Sequence, residues 1–198
     1  MKSIEPVTWH SATALLRGVF PPDAIVHVGA GRGLGDLYSW RDWEIQAGFV
    51  IEADADRSAA LRTHTRDEGR QIRVVQAVVS GTPGQVDFFS ASNSAEDGLT
   101  DPDTLKALWP QLHRTGKKRV NASTIDEEIL AFGSPDELGR VWLIIDCFGA
   151  ADLLQGAQAL MQAVSVLVVR AMPTHDTDAL ADMLGPNGFA IVGSIDTL

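Results

Sequence analysis

The chain has 198 residues, of which 45% are hydrophobic, and carries a formal net charge of −10 at pH 7. This length and composition fit one domain over 1–198, and the acidic charge argues against binding of a nucleic-acid backbone as the main task. No apolar run reaches membrane length, the N-terminus has no leader-like apolar segment, and Cys147 is the only cysteine. We therefore expect a cytoplasmic protein without membrane association, nucleic-acid partners or an internal disulfide.

The first predicted elements are a helix and a short strand. Apolar residues recur at helical spacing over 9–20, within an N-terminal segment 1–22 that ends in two prolines. Three β-branched residues then fall in the run 25–28, which is typical of a buried parallel strand. This strand leads directly into a glycine-rich stretch.

The glycine-rich stretch places Gly29, Gly31, Gly33 and Gly35 at alternate positions before a helical pattern. A strand, a glycine-rich turn and a helix form the first unit of nucleotide-binding α/β folds. Leu34 stands where the dinucleotide fingerprint needs a glycine, and the lysine of a P-loop is missing at the following position. The spacing instead fits a loop around the aminoacyl end of S-adenosylmethionine, with a simple tight turn as the alternative.

An acidic residue at the end of the next strand is the second marker of a nucleotide site. The predicted strand 49–52 ends in Glu52, about 20 residues beyond the glycines. An acid at this place meets ribose hydroxyls in nucleotide sites, whereas the alternative is an ordinary carboxylate at a strand end. Together, the glycines and Glu52 indicate a nucleotide-type ligand.

The rest of the chain alternates helical and strand patterns. Further helices are predicted over 36–46, 54–64, 124–132, 152–164 and 177–184. Further strands are predicted over 72–80, 141–146, 166–169 and 189–192. The alternation predicts an α/β fold with a doubly wound, mostly parallel, Rossmann-like sheet flanked by helices, whose ligands bind beyond the carboxyl ends of the strands.

The pattern changes between 81 and 122, which we interpret as a small β-containing insertion or a cover that faces the substrate. A strand over 86–89 could form a hairpin with the preceding strand, and a short helix at 105–112 and a short strand at 119–121 are expected. The segment HRTGKKR at 113–119 carries four formal positive charges. It either binds an anionic substrate group or forms a solvated hairpin.

The order of these motifs resembles the FkbM family of S-adenosylmethionine-dependent methyltransferases. The resembling stretches are HVGAGRG, FVIEADADRSAAL, VVQAVVSGTPGQVDFF, STIDEEI, VWLIIDCFGAADLLQGAQAL and GFAIV. Members of this family commonly O-methylate sugars or polyketide-like small molecules. The resemblance therefore implies an S-adenosylmethionine-dependent O-methyltransferase whose acceptor is a hydroxyl of a sugar or a similar small metabolite.

The resemblance also implies the residues of the site. The residues implied to bind the cofactor are Gly29, Ala30, Gly31, Gly33, Glu52, Ala53, Gln76 and Ala77. The glycines would wrap the methionine end of the cofactor, Glu52 would hold the ribose hydroxyls, and Gln76 with Ala77 would flank the adenine. Asp146 is the candidate catalytic residue, because a carboxylate at a strand end can accept a proton from an acceptor hydroxyl. The alternative for Asp146 is capping of the helix that follows Gly149.

Several positions depart from the family pattern. His27 replaces an acid before the glycine loop, and Ile144 replaces a lysine two residues before the strand-end acid. Phe148 and Ala151 replace two glutamates, and Arg170 replaces an acid that follows the next strand. A polar site would be built from these positions, so our second hypothesis is a catalytically degenerate methyltransferase-like domain that serves as a binding or assembly module.

Other chemistries find little support in the sequence. His27 and Cys147 are interpreted as packed residues rather than as a general base and a nucleophile. The five histidines are scattered without the spacing of metal ligands, so we expect no metal. The nucleophile elbow of serine hydrolases is also missing.

The C-terminus predicts an incomplete sheet. The resemblance implies a sheet that ends in a hairpin, but only six residues follow the predicted strand 189–192. A turn of at least about two residues and a strand of about five or six cannot both fit there. We therefore expect the seventh strand to be absent and the open edge to join a second copy of the chain or a covalently linked larger protein.

Overall fold

The computed structural model describes residues 9–31, 40, 42–45, 47–66, 70–172 and 176–194. The strands in this part of the chain are β1 (Ala24–Val28), β2 (Ala47–Glu52), β3 (Gln71–Gln76), β4 (Gly84–Ala91), β5 (Arg114–Ala122), β6 (Val141–Ile145) and β7 (Val164–Val169). The α-helices are α1 (Trp9–Val19), α2 (Ala55–Thr65), α3 (Ile125–Leu130), α4 (Ala150–Gln155) and α5 (Asp176–Leu184). None of the helices described is long and apolar enough to cross a membrane.

Five strands form one parallel sheet in the order β3-β2-β1-β6-β7. The order reverses between β1 and β6, as it does in a doubly wound fold, and the predicted α/β class is confirmed. Every residue of β1 and of β6 is buried, because these central strands are covered on both faces. Near-continuous apolar runs such as VWLII are the sequence consequence of that double cover.

The core consists of two layers, one on each face of the sheet. Val26 and Leu143 belong to the larger layer, which packs against α3, α4 and α5. The residues that precede them in the chain, Ile25 and Trp142, belong to the second layer. This layer also includes Trp40, and Leu61 from α2. The buried layers hold the strand ends in register, which brings the residues that follow each strand to one edge.

The insertion forms an antiparallel ribbon of β4 and β5, separate from the main sheet. The predicted hairpin of the 86–89 strand with β3 is therefore wrong, and β5 is nine residues long where only 119–121 was expected. Cross-strand contacts accompany this pairing: the Lys117 Nζ lies 2.8 Å from Oδ2 of Asp87, and Lys118 lies over the Phe88 ring. The basic segment thus lies along a strand and finds partners within the ribbon.

Two other boundaries differ from the sequence prediction. The predicted helix 152–164 divides into α4 and a short 3-10 turn at Leu160–Gln162. Gly156 ends α4 where a Cβ would lie only 2.7 Å from the carbonyl oxygen of Ser80, so only glycine allows this approach. The expected helix at 105–112 is instead a 3-10 turn at Pro102–Ala107, and most of the predicted helix 36–46 lies outside the described residues.

The predicted strand 189–192 is wrong. Residues 189–194 have no regular structure, and the side chains of Ile191 and Val192 are 71% and 82% exposed. β-branched residues form a strand only where a neighbouring strand pairs with them, and Gly188, with a φ of +84°, first turns the chain after α5. Up to residue 194, β7 therefore remains the edge of the sheet, and residues 195–198 lie outside the described part.

Candidate functional site

The loop after β1 begins with a glycine turn that packs closely on β6. Gly29 and Gly31 have φ values of +73° and +58°, in the left-handed region that favours glycine. The N–H of Gly29 donates to the carbonyl oxygen of Ile51 at 2.9 Å. A Cβ on Gly29 would lie 3.2 Å from both the Asp146 carbonyl oxygen and the Cys147 Cβ. The turn therefore needs glycine at position 29 for its conformation and for its packing.

Glu52 ends β2 at the carboxyl edge of the sheet and is only 5% exposed. Its Oε2 accepts a hydrogen bond from the N–H of Gly31 at 2.6 Å, and its Oε1 accepts one from the N–H of Asp54 at 2.9 Å. The carboxylate thus joins the glycine turn to the start of α2. Each oxygen keeps a further lone pair, because an ionised carboxylate has about four acceptor positions.

The other predicted cofactor residues surround Glu52. Ala30 is buried, Ala53 is half-buried, and Gln76 is the exposed last residue of β3. The N–H of Ala77 donates to the carbonyl oxygen of Glu52 at 3.2 Å. The fold brings seven predicted residues to one edge: Gly29, Ala30, Gly31, Glu52, Ala53, Gln76 and Ala77. The eighth, Gly33, lies outside the described residues.

Asp146 follows β6 directly and faces the same edge. Its N–H donates to the carbonyl oxygen of Val28 at 2.9 Å, and its side chain is 53% exposed. The N-cap of α4 is Gly149, which has a φ of +88° and receives no side-chain capping bond. Oδ1 of Asp146 lies 4.0 Å from Nη1 of Arg170.

The described structure adds a group of side chains that the sequence prediction missed. The guanidinium of Arg170 lies 4.6 Å from the ring centre of Phe148 and 5.3 Å from that of Trp109. The two rings contact each other edge to face at 5.8 Å. We call Trp109, Phe148 and Arg170 the aromatic clasp. Phe148 and Arg170 both depart from the family pattern. This shared departure is the feature of the sequence that could have indicated the group.

A long loop of the insertion reaches the edge beside this clasp. We call residues 92–113 the cover loop; its ends meet where the N–H of Ser92 donates to the His113 carbonyl oxygen at 2.9 Å. Leu105 and Leu112 are buried inside it, next to Trp109. The cover loop therefore has a small apolar core of its own and approaches the carboxyl edge as a packed unit.

Two titratable side chains near the edge, His27 and Cys147, are uncharged at neutral pH. Burial lowers the pKa of His27 to about 4, and its ring contacts Trp40 at 5.8 Å. Burial, followed by the charges of Asp146 and Glu52, raises the pKa of the Cys147 thiol to about 12. At neutral pH the histidine is uncharged and the thiol is protonated, which supports their interpretation as packed residues.

Comparison of the chain with family models, with curated proteins and with solved structures gives no match. A doubly wound fold hosts many unrelated activities, so the fold alone does not assign one. The function has to be argued from the chemistry of the carboxyl edge.

Proposed function

We propose that this protein is an S-adenosylmethionine-dependent O-methyltransferase that acts on a hydroxyl of a sugar or a similar small metabolite. The observation that carries the proposal is the position of Glu52. A buried carboxylate at the end of β2, bonded to the backbone of the glycine turn, is placed where nucleotide-binding sheets hold a ribose. The resemblance to FkbM methyltransferases supplies the identity of the nucleoside.

The residues present fit such a cofactor. A Cβ built on Gly31 would meet no described atom within 4 Å. The two carboxylate oxygens of Glu52 each have a lone pair left for one ribose hydroxyl. The exposed side chain of Gln76 and the backbone of Ala77 lie at the next strand end, on the side where the adenine would extend.

When bound, the cofactor supplies an electrophilic methyl group on a sulfonium. The new bond would join the acceptor oxygen to that methyl carbon, while the carbon–sulfur bond breaks and leaves a neutral thioether. Asp146 has a half-exposed carboxylate at the adjacent strand end, and it would accept the hydrogen bond and the proton of the acceptor hydroxyl. Holding that hydroxyl in line with the methyl group is the larger part of the task.

Calorimetric titration with S-adenosylmethionine tests the cofactor assignment. We expect binding by the unaltered chain, and weaker binding once the Glu52 carboxylate is removed. Binding that is equally tight in a folded Glu52→Ala variant would contradict the role of Glu52. No binding by the unaltered chain would contradict the proposed function itself.

A second candidate is a methyltransferase-like module that binds without turnover. The observation that favours it is the aromatic clasp: Phe148 and Arg170 stand at positions where the family has acids, and they contact each other instead of forming a polar cavity. Measurement of S-adenosylhomocysteine formation across a panel of hydroxyl compounds separates the two candidates. Cofactor binding without product on any acceptor favours the module, whereas product on one acceptor favours the enzyme.

A further inference from the structure

The cover loop is attached to the main sheet through two arginines on opposite sides of the candidate site. The Nη2 of Arg57, in the first turn of α2, donates to the carbonyl oxygen and to Oγ of Ser94 at 2.7 and 3.0 Å. The Nη2 of Arg170, just after β7, donates to Oε1 of Glu96 at 2.9 Å. The short 3-10 turn Ser94–Glu96 is thus tied at both ends.

The two attachments lie on either side of β1 and β6 in the order of the sheet. α2 begins at the carboxyl end of β2, and β1 and β6 lie between β2 and β7 in the sheet. Three strand spacings amount to about 14 Å, which two arginine side chains and a three-residue turn can span. The turn Ser94–Glu96 therefore bridges α2 and the residue after β7, and the strands between these two attachments, β1 and β6, are followed by Gly29 and Asp146.

The attachment at Arg170 is the more elaborate of the two. The Glu96 side chain is only 9% exposed, so its charge requires a partner, and Arg170 is the cation that meets it. Trp109 belongs to the cover loop and Phe148 to the segment after β6, so the guanidinium lies between a ring from each side. One side chain thus joins the loop to the sheet by charge and by stacking.

From these contacts we infer that Arg170 is a positioning residue that holds the cover loop closed over the candidate site. Nη1 of Arg170 points at the Asp146 carboxylate from 4.0 Å, so the same guanidinium lies beside the candidate base. Opening of the cover loop requires Arg170 to leave Glu96 and the two rings. A role of Arg170 in retaining a bound ligand rests on the proposed function, whereas the closure of the cover loop does not.

Hydrogen exchange of the full chain without ligand tests the closure. In Arg170→Gln we expect amide exchange in the cover loop to rise by at least about fivefold, while β1 and β6 keep their protection. Glu96→Gln breaks the same ion pair from the other side and should act alike, which covers the case in which Arg170→Gln does not fold. Arg119→Gln, on the exposed ribbon of the same insertion, is the matched control and should leave the cover loop unchanged.

Two further experiments distinguish a role of Arg170 in positioning the cover loop from a role in overall stability. One exchanges the charges at positions 170 and 96, and the other measures the release of a ligand. The double variant Arg170→Glu with Glu96→Arg should recover part of the protection that Arg170→Glu alone loses. If S-adenosylhomocysteine binds, its dissociation from Arg170→Gln should be at least about tenfold faster at a temperature where the variant is fully folded, because the closed loop must open for release. Unchanged exchange in the cover loop of both single variants would overturn the inference. Failure of the unaltered chain to bind this ligand would overturn the proposed function and the retention role, and the exchange measurement would still decide the closure.

Discussion

Gly31 donates its backbone N–H to Oε2 of Glu52 across 2.6 Å, and this bond joins the turn after β1 to the last residue of β2. The other carboxylate oxygen accepts from Asp54, at the start of α2. One side chain therefore organises three backbone segments at the carboxyl edge. Its removal would affect the shape of the loop as well as any ligand bonded to it.

We predict that Glu52→Gln is nearly as harmful as Glu52→Ala. From the sequence alone the amide looks like the milder change, because one acceptor remains. With two backbone N–H donors facing the side chain, however, the amide NH₂ must point at one of them and leaves that donor unsatisfied. We expect each variant to lose about 1–3 kcal/mol of unfolding free energy in urea titrations. Glu137→Gln, on an exposed turn, is the control, and a Glu52→Gln variant as stable as that control would contradict the prediction.

We predict different outcomes for alanine at the two glycines of the turn. Gly29→Ala combines a positive φ with a Cβ 3.2 Å from the Asp146 carbonyl oxygen, so it should cost about 2–4 kcal/mol of unfolding free energy. Gly31→Ala meets open space among the described atoms and should cost only about 1–2 kcal/mol for its positive φ. Urea unfolding of both variants gives this comparison.

The same pair tests the cofactor site. The methyl group of Gly31→Ala would project into space that the proposed cofactor needs, so titration with S-adenosylmethionine should show a weakened affinity in a chain that is still folded. An unchanged affinity in Gly31→Ala would place the ligand elsewhere. Equal losses of stability in the two variants would contradict the packing argument for Gly29.

The parallel sheet and the edge residues could be predicted because their signals are local. The buried strands β2 and β6 read as apolar runs, and the acids at their ends, Glu52 and Asp146, fall at the carboxyl edge once the strands are parallel.

The remaining features depend on contacts between distant residues. Glu96 and Arg170 are 74 positions apart, and no pattern within either segment reveals their bond. The pairing of β4 with β5 depends on partners such as Asp87 and Lys117, and periodicity shows one strand at a time. The segment 189–192 has the composition of a strand, but composition cannot supply the neighbouring strand that it lacks.

We predict that stability declines below pH 6.5 because of His27. Burial lowers its pKa from 6.5 to about 4 in the folded chain. Between these two pH values the unfolded chain is protonated at His27 and the folded chain is not. The unfolding free energy therefore falls as the pH drops from 6.5 towards 4, by up to about 3 kcal/mol for this residue alone. Urea unfolding of the unaltered chain and of His27→Gln between pH 7 and pH 4.5 measures this dependence of the unfolding free energy on pH. The variant should show a flatter pH dependence, and parallel curves would contradict the assignment to His27.

We predict self-association through the edge of the sheet at β7. The sequence of β7 is VSVLVV, without the charges or proline that usually protect an edge, whereas the opposite edge strand β3 carries Arg73 among exposed polar residues. Phe189 and Val164, the first residue of β7, line one cavity, and Ile191 and Val192 are exposed two and three residues after Phe189. In the described part of the chain no strand pairs with the outer side of β7, and such an edge, with two exposed β-branched residues in the segment after α5, favours pairing with a second copy.

Light scattering at increasing concentration tests this association. We expect a dimer for the unaltered chain and a monomer for the double variant Ile191→Lys with Val192→Lys, because two lysines add repulsion and remove apolar contact at the edge. Leu15→Lys is the matched control, since Leu15 is 72% exposed on α1 and its change should leave the dimer intact. A monomeric unaltered chain at high concentration would contradict the prediction. A dimer that persists in the double variant and dissociates in Leu15→Lys would place the interface on α1 instead.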